Sequence, residues 1–274
     1  MGEPDYGTGR LLRGEIKMLT FISDLDNTLI YSRQKGVCVE RLEKKELTYM
    51  TPDAKRTFLA LLKERNFLFI PCTARSYEQT SRVEFVQHLP YLICDMGGSI
   101  YIHGRLDNEW ERIQQEKGCR NKPAIEAEKL WIQKHLHIPY QKIHSNRDLF
   151  FVVAFTNREI AQQAWERIKG RSGFYLQYHL QGRKLYCTPT GLDKSRAVEY
   201  LKKKYCLEKI YTAGDSFFDE DFTKLGIPLL PAHAEFSYGG FRTEHTGMKA
   251  GEEIVKELSH LMEIHNAELR GVIP

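Results

Sequence analysis

Short apolar runs of β-prone residues recur towards both ends of the chain. They cover residues 19–23, 67–70, 91–94, 209–213 and 227–230. Continuous apolar runs of this length are typical of strands that are covered on both faces. Helical patterns separate the runs, and strands that alternate with helices predict a parallel sheet with helices packed on it.

Several helix starts are visible in the pattern. Thr51 and Pro52 are typical of an N-cap and a first helical turn, and Asp193 is placed to cap a helix running to about residue 204. Further helical patterns cover residues 76–88 and about 249–263. Residues 32–50 are polar and predict a loop or a small excursion.

The middle of the chain has a different pattern. It predicts a helix near 122–136, a strand at 149–155, a helix at 157–169, and strands near 174–180 and 184–187. These elements predict a separate α+β module at residues 105–187. The core domain is then discontinuous, with residues 18–104 and 188–274, and residues 1–17 are expected to form a loose leader.

Composition narrows the class of protein. Of 274 residues, 42% are hydrophobic and 28% charged, which excludes a disordered, collagen-like or coiled-coil chain. No apolar run approaches the roughly 20 residues of a membrane helix, and residues 1–17 lack the apolar segment of a signal peptide. Six cysteines without CxxC spacing predict free thiols. We therefore expect a cytoplasmic protein that does not bind membranes.

Charge is distributed unevenly between the two predicted parts. The net charge of +4 is too small to indicate nucleic-acid binding. Residues 105–187 hold 15 Lys and Arg against 9 Asp and Glu, whereas the remainder holds 25 against 27. A basic module facing an acidic one suits an anionic substrate with a metal between them. An unevenly charged solvated surface explains the same numbers equally well.

Reactive side chains follow the predicted strand ends or begin a helix, and their positions are Asp24, Asp26, Thr73, Lys194, Asp215 and Asp219. The carboxyl ends of parallel strands form the ligand crevice of an open sheet. Groups that are far apart in the sequence are therefore expected to meet there. Each residue taken alone has a simpler explanation, such as a turn former, a helix cap or a surface lysine.

Convergence of these groups would suit phosphate chemistry. Clustered carboxylates repel each other unless a cation is present, and oxygen ligands suit Mg²⁺. Asp24 could then attack phosphorus to form an aspartyl-phosphate, with Asp26 as general acid and later general base. Thr73 and Lys194 would hold the phosphoryl oxygens. Arg75 is open to either a substrate contact or a surface position.

The same residues carry a family resemblance. The segments Asp-Leu-Asp-Asn-Thr at 24–28 and Gly-Asp-Ser-Phe-Phe-Asp at 214–219, with Thr73 and Lys194 between them, resemble the four ordered motifs of the haloacid dehalogenase (HAD) superfamily. Residues 93–101 resemble the turn before the cap in its C2B (type IIB) branch. Residues 21–28 are similar to sucrose-phosphatase-like sequences. The resemblance covers residues 19–235.

The resemblance implies a fold and a set of roles. The fold is an α/β Rossmann-like HAD core with a parallel sheet, into which an α+β C2B-type cap is inserted. Asp24 is implied as nucleophile and Asp26 as acid and base, while Thr73 and Lys194 bind phosphate.

The resemblance also implies a magnesium site. The implied ligands are Asp24, the backbone carbonyl of Asp26, and Asp215, with Asp219 binding directly or through water. Three departures from the family pattern occur, at Asn27, Met96 and Phe218. Many relatives have Asn where this chain has Phe218, which puts one polar contact to phosphate or metal in doubt.

These features predict Mg²⁺-dependent hydrolysis of a small phosphorylated metabolite, with a sugar phosphate as the leading candidate. A phosphomutase or phosphotransferase of the same branch is one alternative, because it would need the same two aspartates. A non-catalytic protein that binds a phosphorylated ligand is another. The substrate and the oligomeric state stay open at this stage.

Overall fold

The computed structural model describes residues 17–32, 36–171 and 175–271. The predicted leader, residues 1–17, lies outside this range except for its last residue. The strands are β1 (Leu19–Ser23), β2 (Val37–Leu42), β3 (Lys45–Met50), β4 (Phe67–Pro71), β5 (Tyr91–Cys94), β6 (Ser99–Ile102), β7 (Arg105–Leu106), β8 (Lys142–Asn146), β9 (Phe150–Ala154), β10 (Leu176–Gln181), β11 (Lys184–Pro189), β12 (Lys209–Ala213), β13 (Ile227–Leu230) and β14 (Phe241–Arg242). The α-helices are α1 (Pro52–Leu61), α2 (Tyr77–Thr80), α3 (Asn108–Glu116), α4 (Lys122–His135), α5 (Arg158–Ile168), α6 (Lys194–Tyr205), α7 (Glu220–Thr223) and α8 (Met248–Leu269).

A parallel sheet forms the centre of the molecule. Its strand order is β14-β13-β12-β1-β4, and each neighbouring pair is parallel. A single parallel bridge between Cys72 and Ile93 links the end of β4 to β5. The predicted α/β class with a parallel sheet is therefore confirmed.

Helices cover both faces of this sheet. Phe21 and Phe69 stack on one face with ring centroids 5.6 Å apart, in a buried cluster that includes residues of α1 and α8. Ile22 and Ile70 point to the other face, where Val198 of α6 belongs to the same buried cluster. Burial on both faces explains why these strands read as continuous apolar runs.

A second sheet lies within the middle of the chain. Strands β10-β11-β9-β8 are antiparallel and share a buried cluster with α4 and α5. This is the predicted α+β arrangement. The domain boundaries at 104/105 and 187/188 stay a prediction. Close to the predicted boundary at 104/105, Trp110 of α3 belongs to the same buried cluster as Tyr91 and Ile100. This cluster lies on the face of the parallel sheet that α6 covers.

The structure refines the local pattern in several places, and the loop or small excursion predicted at residues 32–50 is the first of them. Residues 32–50 contain an antiparallel hairpin, β2 and β3, which the polar composition concealed. The helix predicted at 76–88 is two short pieces, α2 and a 3₁₀ turn at Glu84–Val86. Val83 forms a backbone bridge to Glu40 of β2, and this pairing takes the chain off a helical path. The pattern also missed α3 and β8.

Two further findings bear on the sequence predictions. No helix among the described residues is long and apolar enough to cross a membrane. All six cysteines lie in the described ranges, and each is a free thiol.

Candidate active site

The nucleophile candidate, Asp24, is the first residue after β1 and is buried. Its backbone N–H donates a hydrogen bond to the carbonyl of Ala213, at the end of β12, at 2.9 Å. The strand register pairs Ser23 with Ala213 on one side and with Pro71 on the other. The residues that follow three parallel strands therefore meet at one edge of the sheet.

Lys194 lies between the carboxylates of Asp24 and Asp219. It is the first residue of α6, which Asp193 caps by accepting a hydrogen bond from the backbone N–H of Ser195. Its Nζ lies 2.7 Å from Oδ1 of Asp24 and 2.6 Å from Oδ1 of Asp219. The side chain of Lys194 is only 2% exposed, so both contacts are shielded from water.

The segment after β12 brings in the last two acids. Oδ2 of Asp219 accepts hydrogen bonds from Oγ of Ser216 at 2.9 Å and from the backbone N–H groups of Ser216 and Asp215 at 3.0 and 3.2 Å. A Cβ atom on Gly214 would lie 2.3 Å from Cβ of Asp219, so only glycine allows this approach. Thr28 donates a hydrogen bond to Oδ1 of Asp215 at 3.3 Å.

The carboxylate cluster fits a divalent cation. Ligand oxygens of Asp24, Asp215 and Asp219 all lie within 4.8 Å of one another. Lys194 supplies one positive charge against these three acids. Asp24 and Asp219 are buried and Asp215 is half-buried. An all-oxygen set of carboxylates is what Mg²⁺ binds, together with water and substrate phosphate.

Burial and the neighbouring acids shift the pKa values of this cluster. Burial raises the pKa of Asp24 to about 7, with Lys194 opposing the rise. Burial and the charges of Asp24 and Asp219 also raise the pKa of Asp215 well above its ordinary value. The two carboxylates at Lys194 outweigh its burial and raise the pKa of that lysine, so it stays charged. A bound cation would relieve the repulsion among the acids.

Asp26 is held by Arg75. Nε and Nη2 of Arg75 donate to the two carboxylate oxygens of Asp26, each at 2.6 Å. Burial acts to raise the pKa of Asp26, but the hydrogen bonds and charge of Arg75 outweigh it and lower that pKa. The Arg75 side chain is 13% exposed. Of the two positions the sequence left open for Arg75, the surface one is therefore excluded.

Glu40 is a member of the site that the sequence analysis missed. Its Oε2 accepts a hydrogen bond from Nη1 of Arg75 at 2.9 Å, and its side chain is 2% exposed. No local signal marked Glu40, since it lies in the polar segment predicted as a loop or a small excursion.

Thr73 lies beyond the end of β4, at the same edge of the sheet. Cys72 donates its backbone N–H to the carbonyl of Ser23 at 2.8 Å, which holds this segment next to β1. The Thr73 N–H donates to the carbonyl of Ile93 at 2.9 Å, and its hydroxyl accepts from the N–H of Arg75 at 3.3 Å. The Thr73 side chain is buried.

Aromatic residues connect this edge to the second sheet. The ring of Phe218 lies 5.1 Å from that of Tyr186 and 5.4 Å from that of His179. Aromatic packing thus takes the place of the polar contact expected from the usual Asn. A crevice of about 210 Å³ lies between the two sheets, and its lining includes Gln177, His179, Thr188, Lys194 and Phe217.

The predicted site residues therefore meet. Direct contacts or short distances join Asp24, Lys194, Asp215 and Asp219, while Asp26 and Thr73 lie at the same sheet edge. Their chemical roles stay predictions.

Comparison with known proteins gives a family match. The model of the sucrose-6F-phosphate phosphohydrolase family matches residues 17–227. No curated protein sequence matches the chain significantly.

Solved structures with a similar fold include three phosphatases or hydrolases. The sucrose-phosphatase from Synechocystis sp. PCC6803, in complex with sucrose and phosphate, is 18% identical, with 89% of this chain and 98% of that chain covered and a TM-score of 0.61. The C-terminal domain of C. albicans trehalose-6-phosphate phosphatase is 13% identical, with coverages of 89% and 93% and a TM-score of 0.62. A haloacid dehalogenase-like hydrolase from Bacteroides thetaiotaomicron is 13% identical, with coverages of 88% and 100% and a TM-score of 0.52.

Proposed function

This chain belongs to the sucrose-6F-phosphate phosphohydrolase family, and from that premise we propose that it hydrolyses a sugar phosphate through an aspartyl-phosphate on Asp24, with Mg²⁺ as cofactor. The resemblance to sucrose-phosphatase-like members of the HAD superfamily is confirmed, and the protein is a phosphoric monoester hydrolase. Metal dependence, residue roles and substrate are the proposal. A cytoplasmic location belongs to the proposal as well.

One observation carries it. Three carboxylates, those of Asp24, Asp215 and Asp219, have oxygens within 4.8 Å of one another around the buried ammonium of Lys194. A cluster with this excess of negative charge would repel a phosphate without a cation. Bound Mg²⁺ would neutralise the acids and the phosphoryl oxygens.

The first chemical step would transfer the phosphoryl group to the protein. Lys194 holds Oδ1 of Asp24, which leaves the second carboxylate oxygen to attack phosphorus. As the new bond forms, the bond from phosphorus to the sugar oxygen breaks and its electron pair stays on that oxygen. Asp26 donates a proton there and becomes a carboxylate. The Thr73 hydroxyl and Lys194 donate hydrogen bonds to the phosphoryl oxygens.

The second step would reverse the role of Asp26. Its carboxylate takes a proton from a water molecule, whose oxygen attacks phosphorus. The bond between Asp24 and phosphorus breaks, and the electron pair returns to the Asp24 carboxylate. Inorganic phosphate leaves, and Asp26 is protonated for the next turnover.

The crevice between the two sheets suits the sugar part of such a substrate. Gln177 and Thr188 offer hydrogen-bonding groups for hydroxyls, and the Phe217 ring offers a surface for the apolar face of a sugar. The basic excess of residues 105–187 favours an anionic substrate.

The test is phosphate release from a panel that includes sucrose 6F-phosphate, trehalose 6-phosphate and p-nitrophenyl phosphate, with Mg²⁺ and with chelator. We expect Mg²⁺-dependent release concentrated on sugar phosphates, and a loss of about 10³-fold or more in kcat for Asp24→Asn. Asp53→Asn is the matched control, because Asp53 is an exposed residue of α1 that pairs with Arg56. Full activity of Asp24→Asn, or of the wild type in chelator, would contradict the proposal.

A further inference from the structure

We propose that Glu40 is a positioning residue for Asp26 and acts through Arg75. The inference rests on the proposed function, in which Asp26 protonates the leaving oxygen. Glu40 belongs to the β2–β3 hairpin, 14 residues after Asp26 along the chain, and its carboxylate is buried.

The geometry is a chain of charged contacts. Arg75 divides its donors, with Nε and Nη2 on the two oxygens of Asp26 and Nη1 on Oε2 of Glu40 at 2.9 Å. Glu40 is itself held in place, because the Thr48 hydroxyl donates to Oε2 at 3.1 Å and Nε of Arg82 donates to Oε1 at 3.2 Å. A buried carboxylate with three donors has little freedom to move, so it fixes the guanidinium of Arg75.

Arg75 sets the orientation of the Asp26 carboxylate, because it contacts both of its oxygens. The Asp26 side chain is 46% exposed, whereas those of Arg75 and Glu40 are 13% and 2% exposed. Glu40 is therefore the fixed end of this chain of contacts, and Asp26 is the end that a substrate can reach.

In the proposed reaction Asp26 must reach the sugar oxygen, so its position matters most for a leaving group that needs a proton. Without the Glu40 carboxylate, Nη1 of Arg75 loses this partner and the guanidinium is free to turn. The carboxylate of Asp26 would then be misplaced with it.

The test compares leaving groups that differ in their need for a proton. A sugar alkoxide must be protonated as it departs, whereas p-nitrophenolate departs without a proton. For Glu40→Gln we expect kcat/KM to fall about 10- to 100-fold on sucrose 6F-phosphate and less than about 3-fold on p-nitrophenyl phosphate. A merely structural role would lower both values by the same factor. Equal losses on the two substrates, or no loss on either, would overturn the inference.

Glu46→Gln is the matched control. Glu46 lies on β3 of the same hairpin and forms an exposed ion pair with Arg41 at 2.7 Å, so both values should stay within about 2-fold of wild type. If Glu40→Gln does not fold, the double variant Glu40→Gln with Arg82→Gln removes one charge of each sign and carries the same expectation. Circular dichroism establishes folding for each variant.

The wild type separates the two proposals. Wild-type turnover of sucrose 6F-phosphate with no leaving-group difference in the variant would overturn the role of Glu40 alone. No Mg²⁺-dependent wild-type turnover of any sugar phosphate in the panel would overturn the proposed function, and the role of Glu40 with it.

Discussion

Glu252 is a buried carboxylate of helix α8 that pairs with two lysines of the same helix and contacts Thr51 at the start of α1. Its Oε1 lies 2.7 Å from Nζ of Lys256, and its Oε2 lies 3.1 Å from Nζ of Lys249. Thr51, the N-cap of α1, also contributes a hydrogen bond. The Lys256 contact is the largest cause that lowers the pKa of Glu252 to about 2, against a smaller opposing effect of burial. Helix α8 lies beyond the residues of the family match, so this contact concerns a part of the fold that the match does not cover.

The pKa shift of Glu252 sets the size of the expected change in the free energy of unfolding. A pKa lowered from 4.5 to about 2 corresponds to about 3 kcal/mol, at about 1.4 kcal/mol per unit. Lys249 and Lys256 are 63% and 60% exposed, so water and salt screen the pairs. We therefore expect Glu252→Gln to lower the free energy of unfolding at pH 7 by about 1–2 kcal/mol.

The pH dependence has a definite sign. Between pH 4.5 and 2 the unfolded chain binds more protons at this position than the folded one, so stability rises with pH. The contribution of Glu252 is complete above about pH 5 and is lost as pH falls towards 2. The difference between wild type and Glu252→Gln should follow the same course.

Urea unfolding at pH 7, 5, 4 and 3 measures this difference, with the same ionic strength throughout. Glu263→Gln is the control, because Glu263 is an exposed residue of the same helix. A Glu252→Gln variant as stable as wild type at pH 7 would refute the reasoning. A difference in stability that did not shrink between pH 5 and 3 would refute it too.

Two further variants test the site itself. Lys194→Met leaves the buried Asp219 without its cation. We expect the free energy of unfolding, measured with urea, to fall by about 3–5 kcal/mol, and phosphate release to be lost. A fall of less than about 1 kcal/mol would count against the buried ion pair. Gly214→Ala places a Cβ atom 2.3 Å from Asp219, and we expect a drop of several degrees in Tm with reduced activity. Gly239→Ala is its control, since a Cβ atom there meets nothing within 4 Å, and equal Tm values for the two variants would show that the close approach is unimportant.

Much of this protein was determined by short stretches of sequence. The strand at Leu19–Ser23 consists of apolar and small β-prone residues, all buried, because both faces of the sheet are covered, and that pattern requires no knowledge of the partners. Lys194 begins a helix because Asp193 caps it, which is also a local effect. Parallel strands bring their carboxyl ends to one edge, so the meeting of Asp24 with Asp215 followed from the predicted parallel sheet.

Tertiary structure alone decided the partners of Asp26 and the surroundings of Phe218. Arg75 reaches Asp26 across 49 residues of chain and Glu40 across 35. Glu40 lies in a hairpin whose polar composition predicted a loop or a small excursion. Phe218 packs on Tyr186 of the second sheet, and no local pattern in either segment points to the other. The physical reason is that these contacts join residues far apart along the chain. Propensity and periodicity report a residue's own backbone and whether it is covered, whereas the identity of a charged or aromatic partner depends on how separate elements pack against each other.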